Sequence, residues 1–334
     1  MWGESRAMSR CFATLAVPAL VCCGSSTAPS VDTSIKEGTV THGALVRDVA
    51  YDSRRNTLYL SQPTLNRIAV LRLSSLSFDT PISTVPYTPS GIDLSLSGDS
   101  LVASLQGVVV IGMDHTSKLG FLRLTGGGST FSLEDIPSHG FPPDYLRVAS
   151  NGKAVMTVFE GGTGEVITYQ INTRTGVLRN DVSATRNTPI ARSGDRSHLL
   201  LLHDNSCCPE TAVLYDPAQD SFSTALPTVS EFGRTISADR TGAVYLIGNT
   251  LFSSALAQVR TLAPPGYSDG ATAITPDGKT AFMATGTGAL AVSTSDGSIT
   301  GTYAMGTVPT RIFVLDDGRA AVFISATEIQ VRKL

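Results

Sequence analysis

From residue 36 onward the chain repeats one pattern. A short apolar run leads into a turn carrying Asp, Asn, Ser or Gly, and a second apolar run follows with the alternation of a half-buried strand. The turns are centred on Asp52, Ser97, Asn151, Gly194, Asp239, Asp277 and Asp317, between 38 and 54 residues apart. The runs after them read TLYLS (57–61), SLVAS (100–104), AVMTV (154–158), HLLLL (198–202), AVYLI (243–247), TAFMA (280–284) and AAVFI (320–324). Third runs at 67–71, 107–111, 165–169, 211–215 and 289–292 complete most units, and fourth runs are weaker, as edge strands are. A period of about 40–45 residues with four strands per unit is that of a β-propeller, whose blades hide both apolar faces against their neighbours. The pattern predicts an all-β, seven-bladed β-propeller over residues 36–334. Its last unit stops at Leu334 after three strands, so residues 36–41 are expected to supply the missing outer strand and close the ring.

The first 35 residues do not share this pattern. Arg6 and Arg10 precede eleven mostly apolar residues (11–21), too few for a membrane-spanning helix and interrupted by Pro18. This reads as an export signal over 1–22, with Met8 as an alternative start. Residues 23–35, rich in Ser, Thr, Pro and Ala, read as a flexible tether. The run Leu20-Val-Cys-Cys23 resembles a bacterial lipobox. The resemblance implies cleavage before Cys23 and acylation of that cysteine, with Cys22 as the alternative register. An exported protein, periplasmic or at the cell surface and held to the membrane by lipid alone, is the expectation. An ordinary cleaved signal, leaving a soluble exported protein, is the alternative.

The sixth unit adds a family resemblance. Pro276-Asp-Gly-Lys-Thr-Ala-Phe-Met-Ala-Thr285, Ala289-Leu-Ala-Val-Ser293, Asp296-Gly-Ser-Ile-Thr300 and Gly306-Thr-Val-Pro309 together resemble a YVTN-type propeller repeat. Partial matches occur at 56–60, 96–99 and 317–318. The resemblance implies the fold rather than an activity, because such propellers carry binding proteins and enzymes alike.

Composition narrows the classes of partner. Hydrophobic residues make up 42% of the chain and charged ones only 16%, a balance that suits an exported β protein with a real core. The net charge of −3 and scattered basic residues give no clustered positive surface for nucleic acid. The expected state is a monomer with no cofactor and no resident metal.

Candidate chemistry is sparse. In a propeller, the loops entering innermost strands and those joining second to third strands share one face around the channel. The repeat register places His42, Tyr87, Asp93, His139, Tyr145, Glu160, His203, Asp204, Glu231, Arg234, Tyr267, Asp269 and Arg311 there. They form a candidate ligand mouth, or ordinary loop polarity. Cys207 and Cys208 are the last two cysteines of the chain and are adjacent, in the segment His203-Asp-Asn-Ser-Cys-Cys-Pro-Glu210. An oxidising compartment would close them into a vicinal disulfide. Inert thiols, or a soft-metal pair beside His203, are the alternatives. Gly126-Gly-Gly-Ser129 lacks the Gly-Lys-Ser/Thr of a phosphate loop.

Three functions fit these observations. The first is a non-enzymatic envelope lipoprotein that binds a protein or glycan through its loop face. The second is a propeller lactonase or hydrolase, with Asp93, Glu160, Glu231 and Asp269 converging on a divalent metal at the channel mouth. The third is a structural member of an envelope assembly.

Overall fold

Seven antiparallel sheets stand around a central axis in the computed structural model of the chain. It describes residues 32–107, 117–125, 130–137, 143–160, 163–184, 188–203, 211–224, 226–227 and 235–334. The expected seven-bladed all-β propeller is therefore the observed fold. Each blade is numbered by its place in the chain, and its strands are given from the axis outward.

Blade 1 comprises Asp48–Asp52, Thr57–Gln62, Arg67–Arg72 and Ser77–Phe78, with Ile82–Ser83 also against its third strand. Blade 2 comprises Thr88–Leu94, Ser100–Gln106, Lys118–Arg123 and Ser132–Asp135. Blade 3 comprises Pro143–Val148, Lys153–Glu160, Thr163–Gln170 and Thr175–Ala184. Blade 4 comprises Ile190–Arg192, Leu199–His203, Thr211–Asp216 and Ser221–Phe222, with Leu226–Pro227 beside its third strand. Blade 5 comprises Ile236–Ala238, Val244–Ile247, Thr250–Ser253 and Gln258–Thr261, and blade 6 Tyr267–Ile274, Thr280–Thr285, Gly288–Ser293 and Ile299–Ala304. Blade 7 comprises Arg311–Val314, Ala320–Ile324 and Glu328–Lys333, and its fourth strand is Gly38–Thr41 from the other end of the chain. That strand runs antiparallel to the third, with Gly38 opposite Val331 and Thr41 opposite Glu328.

The seven turn anchors share one geometry, which is why their spacing reported the blade count. In each, a side-chain oxygen accepts the backbone N–H two residues on: Asp52 from Arg54, Ser97 from Asp99, Asn151 from Lys153, Asp195 from Ser197, Asp239 from Thr241, Asp277 from Lys279 and Asp317 from Arg319. A short polar side chain folds the turn locally in this way before any long-range contact forms. The fourth anchor is thus Asp195 and not its neighbour Gly194, whose N–H bonds to the Asp239 carbonyl of the next blade. The third strand of blade 2 also differs from expectation. It is Lys118–Arg123, paired with Ser100–Gln106, and residues 108–111 of the expected run lie outside the described residues. Gly120 is the close-packing point there: a Cβ would sit 2.6 Å from Leu105 Cδ1 and 2.8 Å from Phe131 Cδ1.

Apolar residues of facing blades form the core. One cluster lies at each of the seven seams, for example Leu58, Leu60 and Leu71 of blade 1 against Val322, Ile324 and Ile329 of blade 7. Blades 6 and 7 meet through aromatic rings. Phe282 and Phe323 are edge to face at 5.7 Å, and Tyr303 stacks on Phe323 at 5.1 Å. Burying apolar faces on both sides of every sheet ties each blade to its neighbours rather than to itself.

Candidate functional site: the axial channel

The innermost strands set charged side chains among apolar ones at the axis. Asp48 opens the strand of blade 1, Asp93 lies in that of blade 2, Arg147 in blade 3 and Arg192 in blade 4. Their pairing crosses between blades. Asp48 is 1% exposed and takes Arg147 in a two-point contact, Nη1 at 2.6 Å and Nη2 at 2.8 Å. It also accepts the Ile92 N–H at 2.9 Å, and Arg311 of blade 7 stands 3.7 Å away. Asp93 accepts the N–H groups of Leu94 and Val148 at 2.8 Å each, and meets Arg192 Nε at 3.3 Å and Arg196 at 3.8 Å. Arg192 turns its Nη2 to Asp316 at 2.8 Å. At the loop-bearing end, Arg47 pairs with Asp144 at 2.6 Å and lies over the Tyr145 ring. The Arg311 guanidinium also donates to the Arg47 carbonyl.

Burial alone would favour the neutral form of Asp93. Arg192, Arg196, Arg147 and the Val148 amide outweigh it and hold the carboxyl below the usual carboxylate range. Burial likewise works against the Arg147 charge, but Asp48 keeps it firmly protonated. Arg311 and Arg196 lie on the other side of this balance, since burial pulls both below the ordinary arginine value despite their aspartate neighbours.

Arg196 has a backbone cost that ties it to this network. It sits at φ 64° in the turn after Asp195, where the matching turns carry Gly98, Gly152, Gly278 and Gly318 at φ 68–76°. A side chain is disfavoured in that left-handed conformation by about 1 kcal/mol. From there the guanidinium donates to the Leu94 carbonyl at 2.8 Å and reaches Asp93, bracing blade 4 against blade 2 across the axis.

Two cavities lie along the axis. The one nearer the loop end, about 90 Å³, is lined by Tyr145, Arg147, Thr235, Thr272 and Arg311 among others. The second, about 120 Å³, takes lining residues from all seven blades, including Asp93, Arg147, Arg192, Ser237, Arg311 and Asp316.

Of the residues the sequence pointed to, Asp93, Tyr145 and Arg311 come together along this axis. His42 is instead at the seam of blades 7 and 1, with its Nε2 against the Ser325 carbonyl at 3.0 Å. His42 lines a separate 190 Å³ pocket with Gln62 and Arg67. His203 ends the second strand of blade 4, and Tyr267 is half-buried against the seam of blades 5 and 6. Glu160 and Asp269 lie within strands of blades 3 and 6. Cys23, His139, Asp204, Cys207, Cys208, Glu231 and Arg234 fall outside the described residues. Sequence reading missed Asp48, Arg147, Arg192 and Arg196, whose signal was an ionisable residue inside or beside an otherwise apolar inner strand. Among the described residues, no group of three or more His, Cys, Asp or Glu is placed to hold a metal ion.

His203 carries a pH-dependent contribution to stability. Burial holds its folded pKa below the ordinary histidine value. Such a group stabilises the fold above about pH 6.5 and loses that contribution as pH falls toward the depressed value. The urea midpoint is expected to fall between pH 7.5 and 5.5, and to fall less in His203→Gln. An equal fall in both proteins would remove His203 from the account.

A wide groove lies on the opposite, turn-bearing face, across blades 5, 6 and 7. Its volume is about 800 Å³, and Asp239, Asp277, Phe282, Thr300, Tyr303 and Gly318 are among its walls. Asp277 is exposed, and its Oδ1 is engaged by Thr275 and Lys279 within its own turn.

Comparison with known protein-family models and with curated proteins gives no match to this chain.

Proposed function

We propose that the protein is a non-enzymatic binding propeller of the cell envelope, anchored by a lipid on Cys23. One observation carries the choice of binding over catalysis. The axial carboxylates of Asp48 and Asp93 are already taken up by arginines and backbone N–H groups. A hydrolase would need Asp93 free to hold a metal or move a proton, in company with Glu160, Glu231 and Asp269. Engaged as it is, Asp93 acts as a brace between blades. The axis stiffens the ring, and recognition falls to the outer faces.

The groove across blades 5–7 offers one such face, and its volume suits an extended ligand. Its chemistry favours a glycan. The Tyr303 ring can cover the apolar face of a sugar, and the Asp277 carboxylate can accept sugar hydroxyls. Titration with soluble envelope polysaccharides is expected to show saturable binding, weakened at least about tenfold by Tyr303→Ala. Binding of peptides but not of glycans would turn the reading to a protein partner. Turnover in a lactone screen with added divalent metal would overturn the non-enzymatic reading altogether. The anchor has its own test: Cys23→Ala should move the protein from the membrane fraction to the soluble one, and unchanged sedimentation would refute acylation there.

A further inference from the structure

We propose that the 120 Å³ axial cavity binds a small monoanion, a short-chain carboxylate, between Arg192 and Ser237. Two of the three nitrogens of the Arg192 guanidinium are engaged by carboxylates. Nε meets Asp93 at 3.3 Å and Nη2 meets Asp316 at 2.8 Å. Nη1 is buried with no hydrogen-bond partner, on a side chain only 10% exposed. A charged donor left in this condition is costly, and native structures rarely tolerate it without a bound group. Ser237 Oγ, from the inner strand of blade 5, is a second buried and unpartnered polar atom. Both residues line the same cavity.

Charge then selects the kind of ligand. The cavity wall carries Arg147, Arg192 and Arg311 against Asp93 and Asp316. Asp48, just behind the wall, is spent on its two-point contact with Arg147. Arg311 donates to the Arg47 carbonyl, but Asp48 stands 3.7 Å from it and burial already works against its charge. An anion would relieve both arginines, whereas a cation would meet three guanidinium groups. The volume admits a ligand of only a few non-hydrogen atoms. A carboxylate matches the planar donor edge of a guanidinium and can accept from a hydroxyl with its second oxygen. This site is separate from the groove of blades 5–7, so either reading can fail without the other.

The test is thermal unfolding of the purified protein titrated with acetate, chloride and sulfate at matched ionic strength. Acetate is expected to raise the midpoint saturably, and sulfate is not. In Ser237→Ala, which removes no other hydrogen bond of that hydroxyl, the acetate dissociation constant should rise about tenfold. Arg192→Lys keeps a charge for Asp93 and Asp316 but removes the free guanidinium donor, and should abolish the acetate response. Equal shifts with all three salts would leave water as the occupant and overturn the proposal. So would acetate binding unchanged in both variants. A saturable response to chloride alone would overturn the carboxylate assignment.

Discussion

Replacing Asp48 by alanine is expected to cost about 3–5 kcal/mol of folding free energy, the range seen when one partner is removed from a buried charge pair. The loss has three parts. Arg147, with its side chain 16% exposed, would keep its charge without a counter-charge in contact. The Ile92 N–H would lose its acceptor at 2.9 Å. Arg311 would lose its nearest carboxylate. A buried guanidinium cannot shed its proton to escape the penalty, so the cost falls on the fold. The double variant Asp48→Leu/Arg147→Met should be less destabilised than Asp48→Ala, because it removes both charges and fills the space. Urea unfolding of the three proteins decides the matter. A change below about 1 kcal/mol for Asp48→Ala would mean that the axial pairs contribute no more than surface ion pairs do.

Removing residues 32–43 should have an effect of similar size and of a different kind. This segment provides the fourth strand of blade 7 and buries Ile35, 6% exposed, in the seam with blade 1. It also ties the two blades by hydrogen bonds. Lys36 N–H donates to the Leu73 carbonyl at 2.8 Å, Lys333 N–H to Glu37 Oε1 at 3.0 Å, and the Arg319 guanidinium to the Thr33 carbonyl. Loss of the Ile35 side chain alone is worth about 1.5–3 kcal/mol. The strand Glu328–Lys333 would then present an unpaired edge, which invites pairing with another copy. The shortened protein should show a lower unfolding midpoint and elute as oligomer or aggregate on size-exclusion chromatography. A monodisperse protein of unchanged midpoint would show that the ring does not need this strand.

The ring was legible in the sequence because its signal is local. Each turn anchor makes a bond two residues long, and each blade repeats the same alternation, so seven anchors gave seven blades. Local signals also explain the two misplacements. Gly194 and Asp195 are neighbours in one turn, and only the side-chain hydrogen bond tells which one holds it. The run at 107–111 is as apolar and β-branched as a third strand should be, yet Lys118–Arg123 takes that place, and alternation alone cannot say which of two runs pairs. The axial network was not legible, because Asp48 and Arg147 are 99 residues apart and meet only once blades 1 to 3 are side by side. Asp93 was singled out for its register. Its partners, Arg192 and Arg196, come from the far side of the ring and turn a candidate reactive carboxylate into a brace.

The meeting of Gly38 with Val331 also fixes when the molecule can be finished. A nascent chain can stack its early blades as they emerge, but blade 7 has no partner for its last strand until both ends are free in one compartment. A chain threaded through a translocon would therefore arrive as an open arc and lock only on the far side. In an exported chain, that timing would keep the ring unfinished, and so still transportable, until delivery was complete.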